Sequence, residues 1–170
     1  RMEAETGPGK TFAYLAPALK LLADRQAKGP PLVLVAAPTQ ELAVQIGKEA
    51  SRLATAAGLE LRSVVLLGGS PLSRQAGLLH GSPGLVIGTL GRLADLVAMG
   101  ALRLGGLGLL VLDEADRLLA PETEDAAILL LEKAPRTCVR ALVSATLPHR
   151  VREKAARFLK EPVDVAVAAD

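Results

Sequence analysis

Six short runs of Val, Leu and Ala divide the chain: Leu32–Ala37, Leu61–Leu67, Leu85–Gly88, Leu109–Asp113, Ala141–Ser144 and Val163–Val167. Most are apolar at every position instead of alternating, the pattern of strands covered on both faces of a parallel sheet. The segments between them carry a helical period. Ala43, Ile46, Ala50 and Leu53 share one helical face, as do Ala127, Leu130, Leu131 and Ala134, and Val151, Ala155, Phe158 and Leu159. Strand alternating with helix predicts βαβ units in one α/β layer, a mostly parallel sheet flanked by helices on both faces. No repeat, low-complexity tract or linker interrupts the pattern, and Gly29-Pro30-Pro31 and Gly105-Gly106 read as surface turns. One domain over residues 1–170 is expected.

Polar clusters fall where these runs end. Pro38-Thr39-Gln40-Glu41 follows the first, Gly68-Gly69-Ser70 the second, and Thr89-Leu90-Gly91-Arg92 the third. Asp113-Glu114-Ala115-Asp116 closes the fourth and Ser144-Ala145-Thr146 the fifth. Ligands of open parallel sheets bind outside the carboxyl ends of the strands, so the clusters are expected along one edge.

Composition narrows the chemistry. Half of the 170 residues are hydrophobic, enough for a core that needs no disulfide or metal. The 22% of charged residues is ordinary for a folded domain and unlike a disordered tail. The single cysteine, Cys138, excludes disulfide frameworks and multi-cysteine zinc sites and points to a reducing, cytoplasmic setting. Two histidines leave little for a His-rich metal centre. The aromatic residues are two Phe and one Tyr, too few for a surface that stacks bases on exposed rings. No apolar stretch is long enough to span a membrane, and no signal-peptide pattern opens the chain.

Ala4-Glu5-Thr6-Gly7-Pro8-Gly9-Lys10-Thr11 has the spacing of a phosphate-binding loop, with Ala4 in a slot often held by glycine. Glycines let successive backbone N–H groups converge on one phosphate, and the helix beginning near Lys10 turns its positive end to the same anion. In such a loop Lys10 reaches the β- and γ-phosphates and the Thr11 hydroxyl can ligate Mg²⁺. About one hundred residues later, Leu109–Leu112 ends in two adjacent acids. Asp113, fixed at a strand end, suits a nucleotide-bound Mg²⁺, and Glu114 suits orienting and polarising a water.

Asp113-Glu114-Ala115-Asp116 spells the signature of the DEAD-box RNA helicases, and the family's other motifs follow in its order. They are AETGPGKT at 4–11, PTQELA at 38–43, Gly68-Gly69, Thr89-Leu90-Gly91-Arg92 and Ser144-Ala145-Thr146. The chain resembles the first of the two RecA-like domains of such a helicase. The resemblance implies an ATP- and RNA-binding core with a RecA-like P-loop fold. Thr6, Gly7, Pro8, Gly9, Lys10 and Thr11 would bind ATP, Thr11 and Asp113 would hold Mg²⁺, and Lys10, Asp113 and Glu114 would be catalytic. Ser144 and Thr146 would hydrogen-bond toward Asp116 and couple the nucleotide state to unwinding. Pro38, Thr39, Gly68, Gly69, Thr89 and Arg92 would hold phosphates and sugars of one RNA strand, a contact without base readout that needs no aromatics. Discrimination against DNA would rest on the 2′-hydroxyl. The mild net charge of +2 fits a grip made by a few fixed dipoles and hydroxyls.

The chain departs from the family where Gln40 replaces an arginine and Leu90 a proline; the first is expected to weaken a phosphate contact or ion pair, the second to loosen a turn. The family's adenine-recognising segment, the strand ahead of the phosphate loop and the second RecA-like domain, which supplies arginine fingers, are expected to be missing from these residues. A noncatalytic RNA- or protein-binding module with a relict nucleotide site, and a related helicase acting on DNA, are the alternatives. Cys138 is expected to pack as a small hydrophobe, His80 and His149 to sit at the surface or at caps, and Arg150, Arg152 and Lys154 to form a solvated helix face.

Overall fold

A computed structural model of the chain describes residues 2–3, 8–24 and 30–166. Its strands are β1 (Met2–Glu3), β2 (Val33–Ala37), β3 (Ser63–Leu66), β4 (Leu85–Thr89), β5 (Leu109–Asp113), β6 (Val139–Ser144) and β7 (Val165–Ala166). They form one sheet in the order β3-β4-β2-β5-β6-β1-β7, and each neighbouring pair runs parallel. The helices are α1 (Pro8–Ala23), α2 (Gln40–Ala56), α3 (Leu72–Leu79), α4 (Leu90–Ala98), α5 (Ala115–Leu118), α6 (Glu124–Lys133) and α7 (His149–Ala156).

Strand β2 explains why the runs are apolar throughout. Successive side chains of a strand point to opposite faces. Val33, Val35 and Ala37 enter a core completed by Leu15 and Ala18 of α1 and Ala43, Ile46 and Ala50 of α2. Leu34 and Ala36 enter the opposite core, with Leu93 and Leu96 of α4, Leu118 of α5, Leu130 of α6 and Val151 of α7. Each fully buried Val, Leu or Ile contributes about 1.5–3 kcal/mol, so both layers hold the sheet. Helices therefore cover both faces, as the pattern of the sequence predicts.

Two glycines are fixed by this packing. A Cβ on Gly88, in β4, would stand 2.6 Å from the Leu66 carbonyl oxygen and 2.9 Å from Leu93 Cδ2. One on Gly47, in α2, would meet Val65 Cγ2 at 2.7 Å. Arg140, on β6, closes the end of α6. Its Nη2 donates to the carbonyls of Leu131, Ala134 and Pro135, and its Nη1 to that of Cys138. A cation suits the negative end of a helix, and these carbonyls have no partner within it.

The sequence leads to no strand ahead of the glycine-rich loop, yet Met2–Glu3 forms one, paired with β6 on one side and β7 on the other. Two residues carry no hydrophobic pattern, and their pairing depends on partners far along the chain. The run at Val163–Val167 narrows to Val165–Ala166 within the described residues. The charged stretch of α7 is not simply solvated. Lys154 pairs with Glu124 of α6, and Arg152 Nε donates to the Leu147 carbonyl at 2.9 Å. Leu90, where the family has proline, is the first residue of α4, and its side chain is buried in the core. Cys138 is buried just before β6, its thiol pushed up by burial, while His80 caps α3 and His149 begins α7.

Candidate functional site

Because all strands are parallel and in register, their polar ends line one edge. Ala37 stands opposite Thr89, and Asp113 opposite Val143, so Ser144 lies one residue beyond Asp113 on the neighbouring strand. Glu3 pairs with Ser144, which sets the start of α1 beside β6. A cleft of about 490 Å³ opens on this part of the edge, lined by Lys10 and Thr11 of α1, Leu42 and Gln45 of α2, and Asp113, Glu114, Asp116, Arg117, Ser144 and Ala145. That volume is ordinary for a small-molecule site. Thr6 and Gly7 lie outside the described residues. Pro8 is the first residue of α1, where its missing N–H costs nothing, and Gly9 is exposed beside it.

Asp113 is the last residue of β5 and only 5% exposed. Its Oδ2 accepts the Tyr14 hydroxyl at 2.7 Å, and its Oδ1 accepts the Glu114 N–H at 2.9 Å. Burial holds its carboxyl above the usual carboxylate range; the bonds from Tyr14 and Glu114 and the nearby Lys10 oppose that shift. Tyr14 is itself pushed up, by burial first and then by the Asp113 charge, so its phenol stays a donor.

Glu114 stands outside the strand at φ 51°, in the left-handed region, and serves as the N-cap residue of α5. A non-glycine residue pays about 1–2 kcal/mol for that conformation. The turn carries the Glu114 side chain to Arg117, whose Nη1 donates to its Oε2 at 2.9 Å. Asp116 turns toward β6. Its Oδ2 accepts the Thr146 hydroxyl at 2.8 Å, and its Oδ1 accepts the Arg117 N–H at 3.1 Å. The Ser144 hydroxyl is buried and lacks a hydrogen bond of full geometry, but it lies near enough to act on the same carboxyl. Burial would raise Asp116; the Ser144 and Thr146 hydroxyls outweigh it and bring the carboxyl below its usual range.

The other candidates gather at the ends of β3, β4 and β2, further along the edge. Thr39 caps α2, its Oγ1 accepting the Leu42 N–H at 3.2 Å. Pro38 stands half-buried beside it, and Thr89 half-buried at the end of β4. Gly69 takes a φ of 87°, which a side chain would strain. Arg92 donates to the Ser70 carbonyl at 2.7 Å. Gln40, where the family has arginine, donates to the Gly68 carbonyl at 3.4 Å.

A family model described as DEAD/DEAH box helicase matches residues 2–155. The chain belongs to the DEAD/DEAH box helicase family. It is 42% identical over 173 residues to ATP-dependent RNA helicase dbp3 of Schizosaccharomyces pombe, covering 98% of this chain and 29% of that protein. It is 36% identical over 167 residues to DEAD-box ATP-dependent RNA helicase CshA of Streptococcus pneumoniae, covering 98% and 31%. Among solved structures, the yeast DEAD-box splicing factor Prp28 superposes with a TM-score of 0.86 at 26% identity, over 99% of this chain and 41% of that one. The fold is the RecA-like P-loop fold of the family. The chain thus spans about a third or less of these two helicases.

The sequence alone does not single out four residues that matter to this helicase-family edge: Tyr14 beneath Asp113, Gln45 in the cleft wall, Arg117 on Glu114, and Gln75 on α3. A buried Tyr or Gln carries no local signal, because its partner lies elsewhere in the chain. Among the described residues, no group of three His, Cys, Asp or Glu is arranged to hold a metal, and no helix is long and apolar enough to cross a membrane.

Proposed function

We propose that this chain is the ATP- and RNA-binding first RecA-like domain of an ATP-dependent RNA helicase. The observation that carries the reading is the cleft that gathers Lys10, Thr11, Asp113 and Glu114, with Asp116 of the same cleft hydrogen-bonded to Thr146. Lys10 neutralises the outer phosphates. Glu114 orients the attacking water once its carboxylate turns from Arg117. Thr6, Gly7, Pro8 and Gly9 supply the phosphate loop.

A hard divalent cation fits the donors present. Thr11 and Asp113 offer a hydroxyl and a carboxylate, and a cation carried on nucleotide phosphates needs one or two such ligands instead of a protein cage. Mg²⁺ held there by Thr11 and Asp113 would offset the charge of the phosphates. Asp113 keeps its place through the Tyr14 and Glu114 bonds.

Pro38, Thr39, Gly68, Gly69, Thr89 and Arg92 grip the sugar-phosphate backbone of one RNA strand. The Thr39 hydroxyl caps α2 as an acceptor and retains its hydrogen for a phosphate. Asp116, Ser144 and Thr146 couple the two halves. A second RecA-like domain supplies arginine fingers, worth about 10³–10⁵ in rate, so residues 1–170 alone hydrolyse ATP very slowly and unwind nothing. The protein works in the cytoplasm.

The test is ATP hydrolysis by the full-length protein with RNA, with a DNA oligonucleotide and with neither, beside Glu114→Gln. RNA-stimulated turnover is expected, and its loss by about 10²–10⁴ in the variant with nucleotide binding retained. Turnover that ignores RNA, or a fully active Glu114→Gln, would overturn the reading.

A further inference from the structure

Among the described residues, the buried polar or charged ones are Asp113, Ser144 and Gln75. The first two belong to the nucleotide cleft. Gln75 does not. It lies in the second turn of α3, 5% exposed, under the loop that follows β3. An amide taken out of water without partners is costly, so its partners explain its presence.

Its Nε2 donates to the Leu67 carbonyl at 2.8 Å, and its Oε1 accepts Arg92 Nη1 at 3.3 Å. The same Arg92 nitrogen donates to the Ser70 carbonyl at 2.7 Å. Leu67 and Ser70 bracket Gly68-Gly69 in sequence, and Gln40 takes the Gly68 carbonyl from α2 at 3.4 Å. Three carbonyls of one short loop are thus held by side chains from three helices. Among the described residues, nothing accepts the N–H of Gly69 or Ser70. A loop whose carbonyls are tied back and whose N–H groups remain available is arranged for an anion.

The glycines give this loop its shape and also its freedom, which binding would otherwise have to remove. We propose that Gln75 is a positioning residue for nucleic-acid binding. Its amide fixes the Gly68-Gly69 loop and the Arg92 guanidinium together, so that both meet the backbone phosphates of one strand in a set geometry. The inference rests on the reading of this edge as the RNA-binding half, and it adds a residue that touches no RNA. Gln75 acts through two partners at once, and this makes a side chain of the same shape without its amide an informative replacement.

The experiment uses the full-length protein and a fluorescein-labelled single-stranded oligouridine, with anisotropy for affinity and RNA-stimulated ATP hydrolysis for KM and kcat. Gln75→Met keeps the volume and removes both bonds. It is expected to weaken RNA binding about tenfold and to raise the KM for RNA by a similar factor, with kcat at saturating RNA retained and the thermal midpoint a few degrees lower. Gln75→Glu keeps an acceptor for Arg92 but sets an oxygen against the Leu67 carbonyl and a negative charge beside the strand, and is expected to lose at least as much. Should Gln75→Met fold poorly, Gln75→Glu alone decides. RNA affinity equal to the unsubstituted protein in every folded variant overturns the proposal, and so does a loss of ATP affinity as large as the loss of RNA affinity. If the unsubstituted protein itself ignores RNA, the functional reading falls and takes this inference with it.

Discussion

Tyr14→Phe removes one oxygen from beneath the Asp113 carboxylate. In the folded chain that oxygen lies 2.7 Å from Asp113 Oδ2, with Tyr14 3% and Asp113 5% exposed. A hydrogen bond to a charged group contributes about 1.5–3 kcal/mol, and water cannot easily replace this one. Asp113 keeps the Glu114 N–H on its other oxygen and Lys10 nearby, which places the cost toward the lower part of that range, about 2 kcal/mol. For a chain of this size each kcal/mol moves the thermal midpoint by about 2–4 °C, so a fall of roughly 4–8 °C is expected.

With no Trp in the chain, urea unfolding followed by circular dichroism is the suitable assay. Asp113→Asn supplies the control. Burial holds the Asp113 carboxyl above its usual range, so the folded state binds the proton more tightly than the unfolded chain does. Ionised Asp113 therefore costs stability at neutral pH, and the neutral amide is expected to unfold at higher urea while losing activity. In that background Tyr14→Phe loses only a neutral bond, about 1 kcal/mol or less, and the two substitutions couple by about 1 kcal/mol. Unfolding of Tyr14→Phe at an unchanged urea concentration, or an equal cost in both backgrounds, would refute the reasoning.

Gly88→Ala is expected to destabilise by about 1–3 kcal/mol or to prevent folding, because its Cβ meets a backbone carbonyl of β3 at 2.6 Å and that carbonyl cannot rotate away; urea midpoints decide. Arg140→Met strands the carbonyls at the end of α6 and should cost about 1–3 kcal/mol, with amide hydrogen exchange at residues 130–134 rising before that of the strands. Thr146→Val removes one of the hydroxyls that bring Asp116 below its usual range. A carboxyl depressed in the folded state contributes stability above the ordinary carboxylate range and loses it as pH falls through the folded value. The variant's Asp116 is expected to titrate at higher pH, read by carboxyl-carbon NMR, and its acid unfolding to begin at higher pH.

The part of the fold legible in the sequence is the part governed by short-range rules. Strands β2, β4 and β5 declare themselves because both of their faces are buried, and α2 because Ala43, Ile46 and Ala50 repeat on one face. The acids that close β5 are legible because they spell a motif of particular residues at fixed spacing. What escapes is whatever a distant partner decides. Strand β1 exists through its pairing with β6 and β7, and Tyr14 matters through a residue 99 positions away. Gln75 takes its meaning from Leu67 and Arg92 on either side of it. The scarcity of aromatics acquires a structural side here. Tyr14, the one tyrosine, is spent inside, supporting Asp113, and Phe158 is half-buried against the core. Phe12 is exposed on α1, a helix whose first turn faces the cleft. At the ends of β2, β3 and β4 the side chains are hydroxyls, amides and one guanidinium tied to loop carbonyls. A surface so built would meet a strand through its phosphates and sugars and would be nearly indifferent to which bases they carry.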